Sequence, residues 1–202
     1  MVEATGTQGG RIRWRRFLAV FAAAVISAGG LMFGMARGAL AVSFAVAGMP
    51  FKVSADLLQG FGFVTFGAVD RELTGRLHPV QVNAFRQVTL YGFCQSIVTP
   101  HVPFIGDVTL LTTAPSSTGV NLVTDLEFLA GDVTYNNVDV NIDASTVFKG
   151  PPGVRGVPGT SGAQANAVTV RNLRNVAWAT TAGTLHQPGM VTRVLIGRHE
   201  CF

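Results

Sequence analysis

The sequence predicts an all-β domain preceded by one apolar helix. After residue 50, apolar positions alternate with polar ones as in half-buried strands, and no helical periodicity runs far enough to make a helix. One short pattern occurs twice, 69 residues apart, in the same register. At the amino end, Arg11, Arg13, Arg15 and Arg16 lead straight into nineteen uncharged, mostly apolar residues, Phe17 to Met35.

That first element divides the chain into a basic, cytoplasmic stretch (1–16), a signal or anchor helix (17–41) and an extracytoplasmic β-domain (42–202). Ala39-Leu40-Ala41 and Ala45-Val46-Ala47 both offer small residues for signal cleavage, whereas the length of Phe17 to Met35 approaches that of a membrane span. Two locations follow: the cytoplasmic membrane with the domain outside, or secretion after cleavage. Gly29, Gly30 and Gly34 would let two such helices approach closely, so a homo-oligomer is compatible with the anchor. The same segment explains the charge. Of fifteen Lys and Arg, five precede residue 42, and of eleven Asp and Glu only Glu3 does, so the domain carries ten of each. A balanced domain lacks the basic footprint of phosphate recognition, and nucleic acid is not expected as a partner.

Within the domain, Phe51, Val53 and Ala55 alternate with Lys52, Ser54 and Asp56, and a Gly-containing bend then leads into Phe63 to Asp70. Asp56-Leu57, Gly62, Val64-Thr65-Phe66 and Val69-Asp70 recur as Asp125-Leu126, Gly131, Val133-Thr134-Tyr135 and Val138-Asp139. A second echo follows, Val80, Val82, Phe85, Arg86 and Val88 matching Val168, Val170, Leu173, Arg174 and Val176 in spacing. Chance recurrence of Val-Thr in β-rich sequence is the plainer explanation; one hairpin-plus-strand unit used twice, over about 51–98 and 120–187, is the one the gap-free register favours. Asn136-Asn137 mark a bulge or a shift of one residue, and Asn172 sits at the matching place before Leu173. Val108 to Leu111, Gly119 to Leu126, Ala167 to Trp178 and Met190 to Ile196 complete a single domain, expected as a sandwich, a barrel-like fold or a curved sheet.

Between the second hairpin and its following strand, Gly150, Gly153, Gly156, Gly159 and Gly162 fall at every third residue, with Pro151, Pro152 and Pro158 among them. So few triplets cannot hold a collagen helix, so 149–163 reads as a flexible surface loop and a candidate contact surface.

Outside the cell the two cysteines, Cys94 and Cys201, are expected to pair. A metal site built on Cys201, His199 and another histidine lacks the ligand spacing such sites show, and no metal or other cofactor is expected. His78, His101, His186 and His199 are scattered, no G-x-S-x-G turn occurs, and Ser96, His101 and Asp107 are close only in sequence. No catalytic residue is assigned. Trp178 and Tyr135 read as core or sheet-face aromatics.

Several blocks resemble a family of exported or membrane-anchored actinobacterial proteins of unknown function, found in Streptomyces and relatives. They are Phe51 to Asp56, Cys94-Gln95-Ser96, Gly131 to Val138, Asn172 to Thr184 and Glu200-Cys201-Phe202, and together they span nearly the whole domain. The resemblance implies an envelope location and a shared cysteine pair. Some of these relatives carry a cholesterol-esterase label, which the residues here do not support. Gly48-Met49-Pro50-Phe51 is more faintly similar to actinobacterial periplasmic lipid-binding proteins, whose curved sheets hold acyl chains.

Three functions therefore compete. The first is a noncatalytic envelope protein, a structural or assembly subunit with an envelope protein as partner. The second is a lipid-binding module, for which an open apolar cavity of a few hundred cubic ångström would speak. The third is a secreted esterase, which requires a Ser or Asp within hydrogen-bond reach of His78, His101 or His186 in a cleft.

Overall fold

The computed structural model describes residues 48–202 and, ahead of them, Trp14, Phe17, Leu18, Val20 to Ala22, Val25 and Ala45–Val46. It divides into Met1–Ala41 and Val42–Phe202. Of the segment Phe17 to Met35, the described residues are helical in backbone and the rest lies outside the described residues, as does the basic stretch apart from Trp14. Among the described residues no helix is long and apolar enough to cross a membrane.

The domain is all-β and antiparallel apart from one short pairing. Its strands are β1 (Ala45–Val46), β2 (Phe51–Glu72), β3 (Leu77–Val102), β4 (Gly106–Asp143), β5 (Ser161–Thr181), β6 (Thr184–His186) and β7 (Val191–Ile196). β2 lies between β3 and β5, and only β1, beside Arg71 and Glu72, runs parallel. The first half of β4 pairs with β3 and, on its other edge, with β6 and β7, while its second half pairs with β5. Leu126 belongs to both halves, facing Gln81 on β3 and Ala177 on β5, and there the sheet closes into a barrel.

The duplicated pattern maps onto this closure, with its copies in β2 and in the second half of β4 and its echoes in β3 and β5. The expected hairpin inside each copy does not form. Phe51 to Glu72 is one uninterrupted strand of 22 residues, and the bend at Gly62 is a kink within it.

Kinks are what long strands require. At about 3.3 Å per residue a straight β4 would extend about 125 Å, far beyond the radius of about 15 Å expected for a domain of this size. The β2–β3 pairing keeps one register from Lys52↔Ser96 to Arg71↔Leu77. The inward-facing residues nevertheless jump by three at particular places. Ala55 to Leu58 faces Leu90 to Phe93 where Gly92, at φ 65°, lies against Asp56. Phe85 to Val88 does so where Gly62, at φ 63°, lies against Arg86. Ala165 to Val168 lies across from Asn137 (φ 53°), and Val170 to Leu173 contains Asn172 (φ 52°). A left-handed residue turns the pleat over, so the strands change face together; the pairing runs on without slipping at Gly62, Gly92 and Asn137, and at Asn172 it runs on toward β2 while the β4 side shifts by one residue between Ala130↔Arg174 and Asp132↔Arg171. Asn137 is therefore a change of face, as expected, but with no register shift between Asn136↔Ala167 and Val138↔Ala165.

Two cores result. Phe63, Phe85, Val88, Val168 and Leu173 fill the barrel, whereas Val64, Phe66, Val80, Val82 and Ala84 form a second core on the outside of the sheet. The glycine-rich stretch covers this second core. Val147 is 1% exposed, Gly150 and Pro151 are buried, and a side chain at Gly150 or Gly156 would strike Val64 or Ala144 respectively. Arg86 fastens it by donating to the carbonyls of Phe148, Lys149 and Gly150. Gly153 and Gly159 sit in turns, and Gly162 already belongs to β5.

Beyond β7 the tail crosses β4, β3 and β2 in turn. The His199 amide donates to Thr109 Oγ1 (3.0 Å), the Cys201 amide to Ser96 Oγ (3.1 Å), and Lys52 Nζ reaches the Phe202 carbonyl (3.0 Å) and Glu200 (3.2 Å). Cys94 and Cys201 are joined by a disulfide across 107 residues.

Two outcomes follow for thermal and denaturant unfolding. Replacing both cysteines by serine is expected to cost about 2–5 kcal/mol, the range for native disulfides closing long loops. Gly92→Ala, strained at φ 65° and driven into Asp56, is expected to cost about 2 kcal/mol or more, whereas Asn172→Gly should stay within about 0.5 kcal/mol of the parent.

Candidate functional site

The closed sheet leaves a cavity along its axis. Phe51, Phe63, Phe85 and Phe93 line it with Leu58, Val88, Leu90, Val168, Val170 and Leu173, all turned inward by the phase changes described above. About 100 Å³ is free to a water-sized occupant, within a wider envelope of about 860 Å³ that includes the open mouth. The smaller figure measures the unfilled interior. It lies below the roughly 300 Å³ at which pockets for drug-sized ligands begin, so the space suits one slender group and not a bulky one.

The mouth is set by an unpartnered strand edge. Phe128 to Asp143 of β4 pair only with β5 among the described residues, and their other edge faces outward. Val133 and Tyr135 on this stretch, with Leu185 on β6, line the cavity and are also exposed. Tyr135 packs on Phe63 at 5.9 Å between ring centroids, joining the mouth to the interior.

The polar lining is sparse and uncharged. Ser117 Oγ accepts from Gln187 Nε2 (3.2 Å), Asn83 Oδ1 accepts from Gln81 Nε2 (3.1 Å), and the Thr124 and Thr180 hydroxyls share a bond of 2.9 Å. Gln95, Asn175 and the Tyr135 phenol complete the set, and among the described residues no Asp, Glu, Lys, Arg or His lines the cavity. Chemically the interior can hold an apolar chain and a neutral hydrogen-bonding group. It offers no stabilisation to an ion, because a charge there would lose its water without gaining a counter-charge.

A second group of polar residues lies on the outside of the barrel beside the second core. Asp70 and His78 pair directly across β2 and β3, His78 Nε2 meets Glu72 Oε1 at 2.6 Å, and the His78 ring stacks on Trp178 with centroids 3.8 Å apart. Trp178 is thus packed beside the outer core, in keeping with its sheet-face expectation. Burial, with the neighbouring Asp70 carboxylate adding to it, pushes Asp125 up to about 6. Asp70 is also raised by burial, which His78 partly opposes. Glu72 is lowered, first by its bond from Thr74 and then by His78.

The residues singled out as sites in the sequence lie in different places. Cys94 and Cys201 meet; the glycines of the contact loop, Gly150, Gly153, Gly156, Gly159 and Gly162, lie over or beside the outer core and not at the cavity. Ser96, 2% exposed, accepts from the Cys201 amide, and Asp107 Oδ1 accepts from the His101 backbone amide, so Ser96, His101 and Asp107 form no relay. Among the described residues no Ser or Asp hydrogen-bonds the ring of His78, His101 or His186; His199 Nε2 lies against the Ile196 carbonyl, and no group of three His, Cys, Asp or Glu could hold a metal. The cavity-lining set itself went unseen in the sequence. Its signal was the three-residue spacing of large apolar residues around Gly62, Gly92 and Asn172, which breaks the alternation that marks strands.

The raised Asp125 makes stability fall as pH rises, because the folded state binds its proton more tightly than the unfolded chain between about pH 4 and 6. Asp125→Asn should therefore stabilise the domain at pH 7.5 by roughly 1 kcal/mol after allowance for solvent screening, with the gain shrinking at pH 5 and gone below pH 4. Urea unfolding at the three pH values measures this.

No curated protein and no solved structure matches the chain. A family model does, over residues 47–202, which is nearly the whole β-domain with its barrel, cavity and disulfide. The chain belongs to that family, a family of unknown function known as DUF6230.

Proposed function

We propose that the protein is a noncatalytic module of the cell envelope that holds the apolar chain of a lipid inside its barrel, outside the cytoplasmic membrane. One observation carries this reading: an uncharged, phenylalanine- and leucine-lined cavity that opens at the unpartnered edge of β4. The free volume of about 100 Å³ is smaller than the few hundred cubic ångström that a whole lipid would occupy, so the occupant is a single slender chain whose remainder stays at the mouth. An extracytoplasmic setting is supported by Arg11 to Arg16 ahead of Phe17 to Met35 and by the Cys94–Cys201 disulfide. The resemblance to exported actinobacterial proteins points the same way, and the membrane-held helix would keep the barrel close to a source of lipid.

The structural or assembly role is a second reading, favoured by β7. Val194 and Ile196 are 71% and 72% exposed, and β7 pairs only with β4 among the described residues, which leaves an apolar edge for a second copy or another envelope protein. Light scattering distinguishes the two, since Val194→Lys should abolish an oligomer built on this edge without affecting the cavity.

Binding is tested with diphenylhexatriene, a rod-shaped hydrocarbon fluorophore, added to the full chain. Micromolar binding is expected, and Val133→Trp at the mouth should weaken it at least about tenfold with an unchanged melting temperature, because the half-exposed position tolerates the larger side chain. Absence of binding by the parent protein, after extraction with organic solvent, would contradict the lipid reading.

A further inference from the structure

Asn175 on β5 is the polar group in the cavity that the protein leaves unsatisfied. It is 9% exposed, it lines the cavity, and its Oδ1 is buried without a hydrogen-bond partner. Its cross-strand neighbours are Val53 on β2 and Leu129 on β4, both lining the same space, so no polar side chain stands directly opposite it. The other buried amides and hydroxyls of the lining behave differently: Asn83, Ser117 and Thr124 each have a partner. A buried acceptor without a donor is costly, and folded proteins retain few of them. Asparagine at an apolar barrel position gains nothing from packing that leucine or valine would not supply better. Its retention here makes sense if the donor arrives with the occupant.

The lining restricts that donor. An ammonium would need a carboxylate and a carboxylate would need a cation, and the cavity has neither. A hydroxyl fits: it donates one hydrogen bond to Oδ1 and keeps lone pairs for the amide NH₂ of the same side chain. Together with the narrow free space, this specifies both ends of the molecule. Resting on the lipid reading above, we infer that Asn175 is the polar anchor of the cavity, and that its ligand is a single unbranched apolar chain carrying a neutral hydroxyl, as in a fatty alcohol or a monoacylglycerol. Asn175 then selects such chains over hydrocarbon of equal length by pairing an acceptor that otherwise stays unpaired.

The test is displacement of diphenylhexatriene from the full chain by 1-dodecanol and by 1-chlorododecane, which has the same length and no donor. The parent protein is expected to prefer the alcohol about tenfold, the effect of pairing one buried acceptor. Asn175→Leu should bind the two equally and keep or raise its melting temperature, since it replaces an unpaired polar group by an apolar one. Equal affinity of the parent for both compounds would overturn the anchor while leaving the lipid reading intact, and this comparison stands even if the variant does not fold. Retention of the preference in a folded Asn175→Leu would overturn it as well. If neither compound nor the fluorophore binds the parent, the lipid reading fails and the anchor fails with it. Monolaurin in place of 1-dodecanol distinguishes the two hydroxyl sources, with tighter binding of monolaurin assigning the hydroxyl on Asn175 to a glycerol and tighter binding of dodecanol assigning it to the end of the chain itself.

Discussion

Strand length is the constraint from which the rest of this structure follows. Four strands of 21 to 38 residues must wrap around one interior, and twist alone does not bend them enough. Left-handed residues at Gly62, Gly92, Asn137 and Asn172 turn the pleat over; the register of the paired strands continues at the first three, and at Asn172 it continues on the β2 side while the β4 side shifts by one. Each reversal swaps which residues face inward, and together they direct the large side chains to two sides of one sheet. The barrel core and its cavity lie on one side, and the core beneath the glycine-rich cover lies on the other.

Closure has a consequence at the edges. Because β4 serves as both the last strand and the first, Leu126 is paired on both sides while the stretch after it keeps a bare edge. Positive φ at Asn137 and Asn141 distorts that edge, which discourages strand addition there. The tail, pinned through Thr109, Ser96, Cys94 and Lys52, ties β4, β3 and β2 together.

Much of the fold was legible in the residues, for reasons that can be located. Alternation over Phe51 to Asp56 marks a strand because only a half-buried pleat favours it, and two cysteines that pair within one chain have only each other. The duplicated pattern was visible as well, since its copies occupy equivalent strands. The hairpin expected within each copy was misread because a glycine at positive φ serves equally in a turn and in a kink, and sequence spacing does not separate the two. The glycine triplets read as a free loop because nothing local reveals that Gly150 and Gly156 must be small to approach Val64 and Ala144. The cavity was hidden for a related reason: its lining residues come from β2, β3, β4 and β5 and converge only once the barrel closes. Asn175 shows the limit most sharply, since inside Asn172 to Thr184 it reads as one more polar strand residue, and only burial exposes its missing partner.

The most direct test is native mass spectrometry of the full chain purified folded from its own cells. The account predicts a noncovalent adduct of lipid mass, one per chain, that organic solvent removes and that Val133→Trp prevents from forming. A chain that carries only its own mass, purified from cells that contain such lipids, would contradict it.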